Sequence, residues 1–136
     1  AALKDGSIDC IATDHAPHSS LEKDCEFSEA SPGINNLETT FAALLPLVTK
    51  GDISALRLVE ALSTAPAKVA RVEGGTLAVG ARADFVLIDP AVKWTVGRDT
   101  LRSKSLNTPL LDREVTGRVS MTVAGGQIVW QRGDTL

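Results

Sequence analysis

The strongest constraint on the fold is a lone apolar strand with nothing to pair with. Ile8-Asp9-Cys10-Ile11-Ala12-Thr13 reads as a β-strand buried on both faces apart from Asp9. That is the pattern of parallel sheets, whose two faces are both covered. A polar loop rich in Ser, Glu, Pro, Gly and Asn comes next, roughly 14–36, then helical patterns, and the next strand pattern begins only at Phe85. One strand and its helices leave both strand edges unsatisfied. The sequence therefore predicts neighbouring strands from outside its 136 residues. A complete (β/α)8 barrel takes about 250 residues, so the expectation is the C-terminal part of a larger protein.

The residues just after the strand are chemically loaded. Asp14-His15-Ala16-Pro17-His18 holds the only two histidines of the chain. In α/β barrels, catalytic groups sit at the C-terminal ends of strands, where the loops converge. An acid and two histidines there suit metal-assisted chemistry. On the residues alone, the more ordinary reading of Asp14 is a helix cap or turn residue, and that of His18 a solvated side chain. A loop this long is usually functional. Its charged run, Glu22, Lys23, Asp24, Glu26 and Glu29, reads as a solvated face.

Farther on, Leu37, Phe41, Leu44, Leu45 and Val48 recur at helical spacing. Asn36 suits the N-cap, with Glu38 in the first turn. Pro46 should bend or end that helix near its third turn, and Gly51 should stop it. A second helix is expected over Ser54–Leu62 and a short third one over Pro66–Val72, with Pro66 at a tolerant first-turn position. The character then changes. Phe85–Ile88 reads as a short strand ended by Asp89-Pro90, and Val92, Trp94 and Val96 alternate as a second. Val119, Met121 and Val123 lead to Gly125-Gly126, a hairpin turn that should set Val123 against Ile128 and Met121 against Trp130. Arg82-Ala83-Asp84 is a candidate structural ion pair.

Composition excludes some classes. The net charge of −3 and the lack of a basic stripe argue against nucleic acid. An apolar fraction of 43% supports a core and argues against disorder. No apolar run approaches the roughly 18 residues of a membrane span, and the first residues lack the apolar stretch of a signal peptide. Cys10 and Cys25 lack CxxC spacing, no disulfide is expected, and the compartment reads as cytoplasmic.

The motifs resemble the C-terminal portion of the dihydroorotases, within the amidohydrolase superfamily. The residues that carry the resemblance run from Ile8 through the pentad Asp14–His18. Gly33-Ile34, Leu37-Glu38-Thr39, Leu62–Ala67, Gly75-Thr76-Leu77, Gly80 and Ala83-Asp84 add to it, as do Ser103-Lys104-Ser105 and Asn107-Thr108-Pro109. Pro32, Asn36 and Leu110 depart from the family's usual residues. The resemblance implies an α/β fold: residues 1–73 as the last strand, active-site loop and helices of a (β/α)8 metal-dependent hydrolase barrel, and 74–136 as a small flanking β domain.

It also implies zinc-dependent, reversible hydrolysis of the cyclic amide of dihydroorotate to carbamoyl aspartate, in pyrimidine synthesis. Asp14 would be both a metal ligand and the general acid/base. His18 and the backbone of Pro32 and Gly33 would contact substrate, and His15 would orient neighbours of the metal site. One or two zinc ions would take most of their ligands from outside this chain. Partners would be the small-molecule substrate, the N-terminal part of the barrel, and a second copy of the protein or an aspartate transcarbamoylase, with no nucleic acid or membrane. The other readings are a hydantoinase or allantoinase, a non-catalytic subunit that supports aspartate transcarbamoylase, and an autonomous interaction module built on the β part.

Overall fold

The structure, a computed structural model, describes residues 2–133. The expected segments reach past these bounds at residue 1 and at 134–136, which lie outside the described residues. The first half is helical: α1 (Ala2–Asp5), α2 (Ser20–Lys23), α3 (Thr40–Thr49), α4 (Ala55–Val59) and α5 (Ala65–Ala70). The second half is a three-stranded antiparallel sheet of β1 (Phe85–Thr95), β2 (Glu114–Ala124) and β3 (Gln127–Gln131), in that order. Among the described residues, no helix is long and apolar enough to cross a membrane.

The strand expected at 8–13 does not form a ladder. A strand exists only as part of a pair, and among the described residues none pairs with 8–13. Side chains and a helix take up its polar groups instead. Arg57 reaches back from α4 to the carbonyls of Leu3, at 2.9 Å, Ile8 and Asp9. The Ile11 N–H donates to the Ala61 carbonyl at 2.9 Å. Ile8, which a covered sheet would bury, is 48% exposed.

Asn36 does not cap α3 with its side chain, because its amide donates to the Thr13 carbonyl. Its own carbonyl collects the Thr39 N–H at 3.1 Å and the Thr40 hydroxyl at 2.7 Å, and α3 starts at Thr40. Pro46 does not end the helix, which continues to Thr49. Gly51, at φ +77°, does, as expected. Its N–H meets Val48 O and the Asp52 N–H meets Leu47 O, the paired bonds of a Schellman stop.

The second and third helices are one. Ser54 caps α4, its hydroxyl accepting the Arg57 N–H at 3.0 Å. A π-helical turn over Glu60–Thr64 then leads straight into α5. Pro66 is the cause. It lacks an N–H and its ring crowds the carbonyl one turn back, and a wider π turn absorbs that misfit. The Ala65 N–H reaches Glu60 O, five residues back. Pro66, next in that pattern, cannot reach Ala61 O, so this carbonyl is available to Ile11.

β1 is one strand, not two. Asp89-Pro90 falls in a register shift between Asp89 and Lys93 rather than ending it. Proline is tolerated there because β1 is an edge strand and the shift is a bulge. Gly125 and Gly126, at φ +57° and +79°, make the two-residue turn, with Val123 opposite Ile128. The expected Met121–Trp130 pair is off by one. A bulge at Thr122/Val123 sets Thr122 opposite Trp130 and Met121 opposite Gln131. Arg82 and Asp84 pair at 2.9 Å, and Asp84 also accepts the Gly125 N–H at 2.6 Å, which fixes the turn.

The core joins the two halves. Ala42 of α3 is buried with Trp94, Val96 and Leu101. The Trp94 indole donates to Gly117 O at 3.0 Å. Gly117 is where α3 crosses β2: a Cβ there would lie 2.7 Å from Leu45 and 2.9 Å from Phe41.

Candidate active site

The pentad leaves the unpaired segment in a tight, doubly bent path. Asp14 and His18 both sit at φ +45°, a region that L-residues enter at a cost of about 1–2 kcal/mol each. Between them the chain runs beside a second segment. His15 bridges Ile34 in parallel, and the Ala16 N–H donates to Ile34 O at 3.0 Å. Gly33 lies against Ala16 so closely that a Cβ would come within 2.5 Å of the Ala16 Cβ. Only glycine fits there.

His18, Pro32 and Gly33 are thus brought together. The His18 Nε2 donates to Pro32 O at 2.9 Å, and its Nδ1 lies 3.5 Å from Glu22. The Pro32–Gly33 peptide is trans, so a carbonyl held by His18 points the Gly33 N–H the opposite way. The Gly33 carbonyl accepts from Lys23 Nζ at 2.7 Å and from Asn107 Nδ2 at 2.9 Å. Among the described residues, no acceptor takes the Gly33 N–H. A cleft of about 970 Å³ opens beside this cluster, walled in part by His18, Lys23, Arg98, Ser105 and Asn107.

His15 does different work. Its Nδ1 accepts from the backbone N–H groups of Asn36, at 3.3 Å, and Leu37, at 3.1 Å. The neutral ring therefore carries its proton on Nε2, and its Nδ1 is not open to a metal. The residue ties the pentad to the turn that leads into α3.

Asp14 stands apart. It is exposed, and among the described residues nothing hydrogen-bonds its carboxylate. A catalytic zinc takes three or more protein ligands. The described residues hold no cluster of three His, Cys, Asp or Glu side chains that could bind a metal. Both nitrogens of His18 and the Nδ1 of His15 face protein partners. Among the described residues the pentad thus offers a metal one open carboxylate, which fits one ligand position and not a closed site.

Part of the site lay hidden in the charged run. Glu22 is no bystander: Ser19 and Glu22 form a capping box around α2. The Ser19 hydroxyl and N–H both donate to Glu22, at 2.6 and 2.7 Å, and hold its carboxyl down at about 2, with His18 adding a smaller pull. Lys23 donates to Ser31 O and Gly33 O. The Ser-x-x-Glu spacing of Ser19 and Glu22 is the signal that could have found the box. The partners of Gly33, Asn35 and Pro17 in the segment 103–107 left no such local signal.

Comparison with known proteins shows the family. The profile of the amidohydrolase family matches residues 1–129. The dihydroorotase of Anaeromyxobacter dehalogenans is 52% identical over 94% of this chain, and that of Geobacter metallireducens 49% over 96%. The chain spans about 30% of the length of these curated relatives. Among solved structures, the L-hydantoinase of Arthrobacter aurescens superposes with a TM-score of 0.88 at 32% identity, over 99% of this chain and 31% of that one. The dihydropyrimidinase of Brevibacillus agri also gives 0.88, at 31% identity, over 96% of this chain and 30% of that one.

Proposed function

Given that the chain belongs to the amidohydrolase family, we propose that it is the C-terminal part of a dihydroorotase and supplies the acid/base carboxylate and the substrate loop of the active site. The observation that carries this is Asp14, a bent, open carboxylate at the end of a strand-like segment, beside a loop whose Gly33 N–H is oriented and unused. The choice of substrate rests on similarity: 52% identity to a dihydroorotase against 32% to a hydantoinase.

In this reading the Asp14 carboxylate takes the proton of the attacking water and passes it to the leaving ring nitrogen. The Gly33 N–H binds a carbonyl or carboxylate oxygen of the ring, where a glycine lets the backbone come close. His18 adds a donor once it leaves Pro32 O. Zinc, one or two ions, would take Asp14 as one ligand and the rest from outside this chain; bound there it would polarise the cyclic amide carbonyl. The barrel strands that would pair with residues 8–13 also come from outside the chain. Further partners are a second copy or an aspartate transcarbamoylase, in the cytoplasm.

The test is a substrate panel on the full-length protein. Ring opening of dihydroorotate well above that of hydantoins and allantoin is expected. Preference for a hydantoin would replace this reading with that of the superposed structures. Asp14→Asn should lower turnover by about 10²–10⁴-fold without unfolding the protein.

A further inference from the structure

The substrate loop is held from the far side of the chain. Ser105 and Asn107 belong to the connection between β1 and β2, yet their side chains point at the backbone of the pentad and of the loop around Gly33. The Ser105 hydroxyl donates to Pro17 O at 2.6 Å, and the Asn107 amide to Gly33 O at 2.9 Å. The contact is reciprocal. The Asn35 amide donates to Ser105 O at 2.7 Å, and the Asn35 N–H to Asn107 O at 2.7 Å. Asn35 is 1% exposed, so these bonds are shielded from water. The connection is itself braced: the Ser105 hydroxyl accepts the Asn107 N–H at 3.1 Å, and Glu38 accepts the N–H groups of Arg102 and Ser103.

We propose that Ser105 and Asn107 are positioning residues that set the Gly33 peptide, and with it the free N–H, in the orientation that receives substrate. This deepens the proposed function and rests on it. Pro17 precedes His18, and Gly33 comes directly after the carbonyl that His18 holds. One connection thus fixes both sides of the His18–Pro32 contact. Both side chains spend their hydrogen bonds on backbone and lie away from the Asp14 carboxylate, so their loss should weaken binding and spare the chemistry at Asp14. Even partly buried hydrogen bonds of this kind are costly to leave half-made.

The experiment uses the full-length protein with Asn107→Ala, Ser105→Ala and the conservative Ser105→Thr. Two readouts are taken: KM and kcat for dihydroorotate, and amide hydrogen exchange over 15–18 and 31–36. Expected are a rise in KM of about tenfold for Asn107→Ala, kcat within about threefold, and faster exchange confined to those two segments. Ser105→Thr, which keeps the hydroxyl, should stay near the parent. Faster exchange with an unchanged KM would reduce the pair to scaffold and overturn the proposal. So would unchanged exchange in a folded Asn107→Ala. Should Asn107→Ala fail to fold, Ser105→Ala decides by the same criteria, since it removes a single oxygen. A parent inert toward dihydroorotate would sink the proposed function, and exchange alone would then show whether the connection orders the loop.

Discussion

Gly33 shows how little room the site leaves. At φ +128° and with the Ala16 Cβ 2.5 Å from where its own would stand, it is closed to any side chain. Gly33→Ala should cost about 1–3 kcal/mol of stability in the full-length protein and loosen substrate binding; thermal unfolding and KM check both, and an unchanged melting temperature would refute the close packing. Glu22 yields a pH prediction. Its carboxyl falls from the ordinary 4.5 to about 2, chiefly through the Ser19 hydroxyl and N–H. A depressed carboxyl stabilises fully above its unfolded value and loses that contribution as pH falls through the folded one. The α2 capping box should therefore survive at pH 4 and open as pH falls to about 2. Glu22 side-chain NMR shifts should titrate near 2, and a midpoint at 4.5 would mean the box does not persist in solution. The pentad stood out in the sequence because it gathers both histidines of the chain beside an acid, and Gly33 through the family resemblance alone. The roles of Asn35, Ser105 and Asn107 were not legible there, because their partners lie up to 88 residues away.

At the scale of elements, local rules worked where the deciding atoms are neighbours in sequence. Gly51 stops α3, Ser54 caps α4 and Gly125-Gly126 turns the hairpin, each through backbone freedom or bonds within a few residues. They failed where a bulge or a distant partner decides. One extra residue in β3 moved Trp130 from Met121 to Thr122, and Pro66 made a π turn where a helix start was expected. That turn has a consequence for the site, since the carbonyl of Ala61 that Pro66 cannot meet anchors Ile11, three residues before Asp14. Pro66→Ala restores an N–H that competes for this carbonyl. The variant should keep or raise helix stability while the Ile11 amide exchanges about fivefold faster, for a bond worth about 1 kcal/mol. An Ile11 amide that exchanges at the parent rate would show that the π turn does not serve the segment.

At the scale of the whole molecule, apolar surface is left uncovered. Phe85, Val86, Leu87, Ile128 and Val129 are all more than a third exposed at one end of the sheet. Residues 8–13 run without a ladder. Together with the absence of a three-ligand cluster among the described residues, this predicts that the 136-residue chain alone neither binds stoichiometric zinc nor opens dihydroorotate. Metal analysis after dialysis and a ring-opening assay check it, and one tightly held zinc per chain would overturn it.

The sequence by itself determined the chemistry on offer: an acid and two histidines in one pentad after an apolar segment, the glycine stop of α3 and the hairpin turn. Those arise from residue type and from spacings of a few positions, over which local sterics and short hydrogen bonds decide. Only the tertiary structure decided which groups remain free to act. It turned His18 onto Pro32, filled the Nδ1 of His15 with two backbone donors, and left Asp14 and the Gly33 N–H without a partner among the described residues. The physical reason is that a polar group's availability depends on every partner within about 3 Å, and here those partners come from α2, from the turn before α3 and from the connection between β1 and β2.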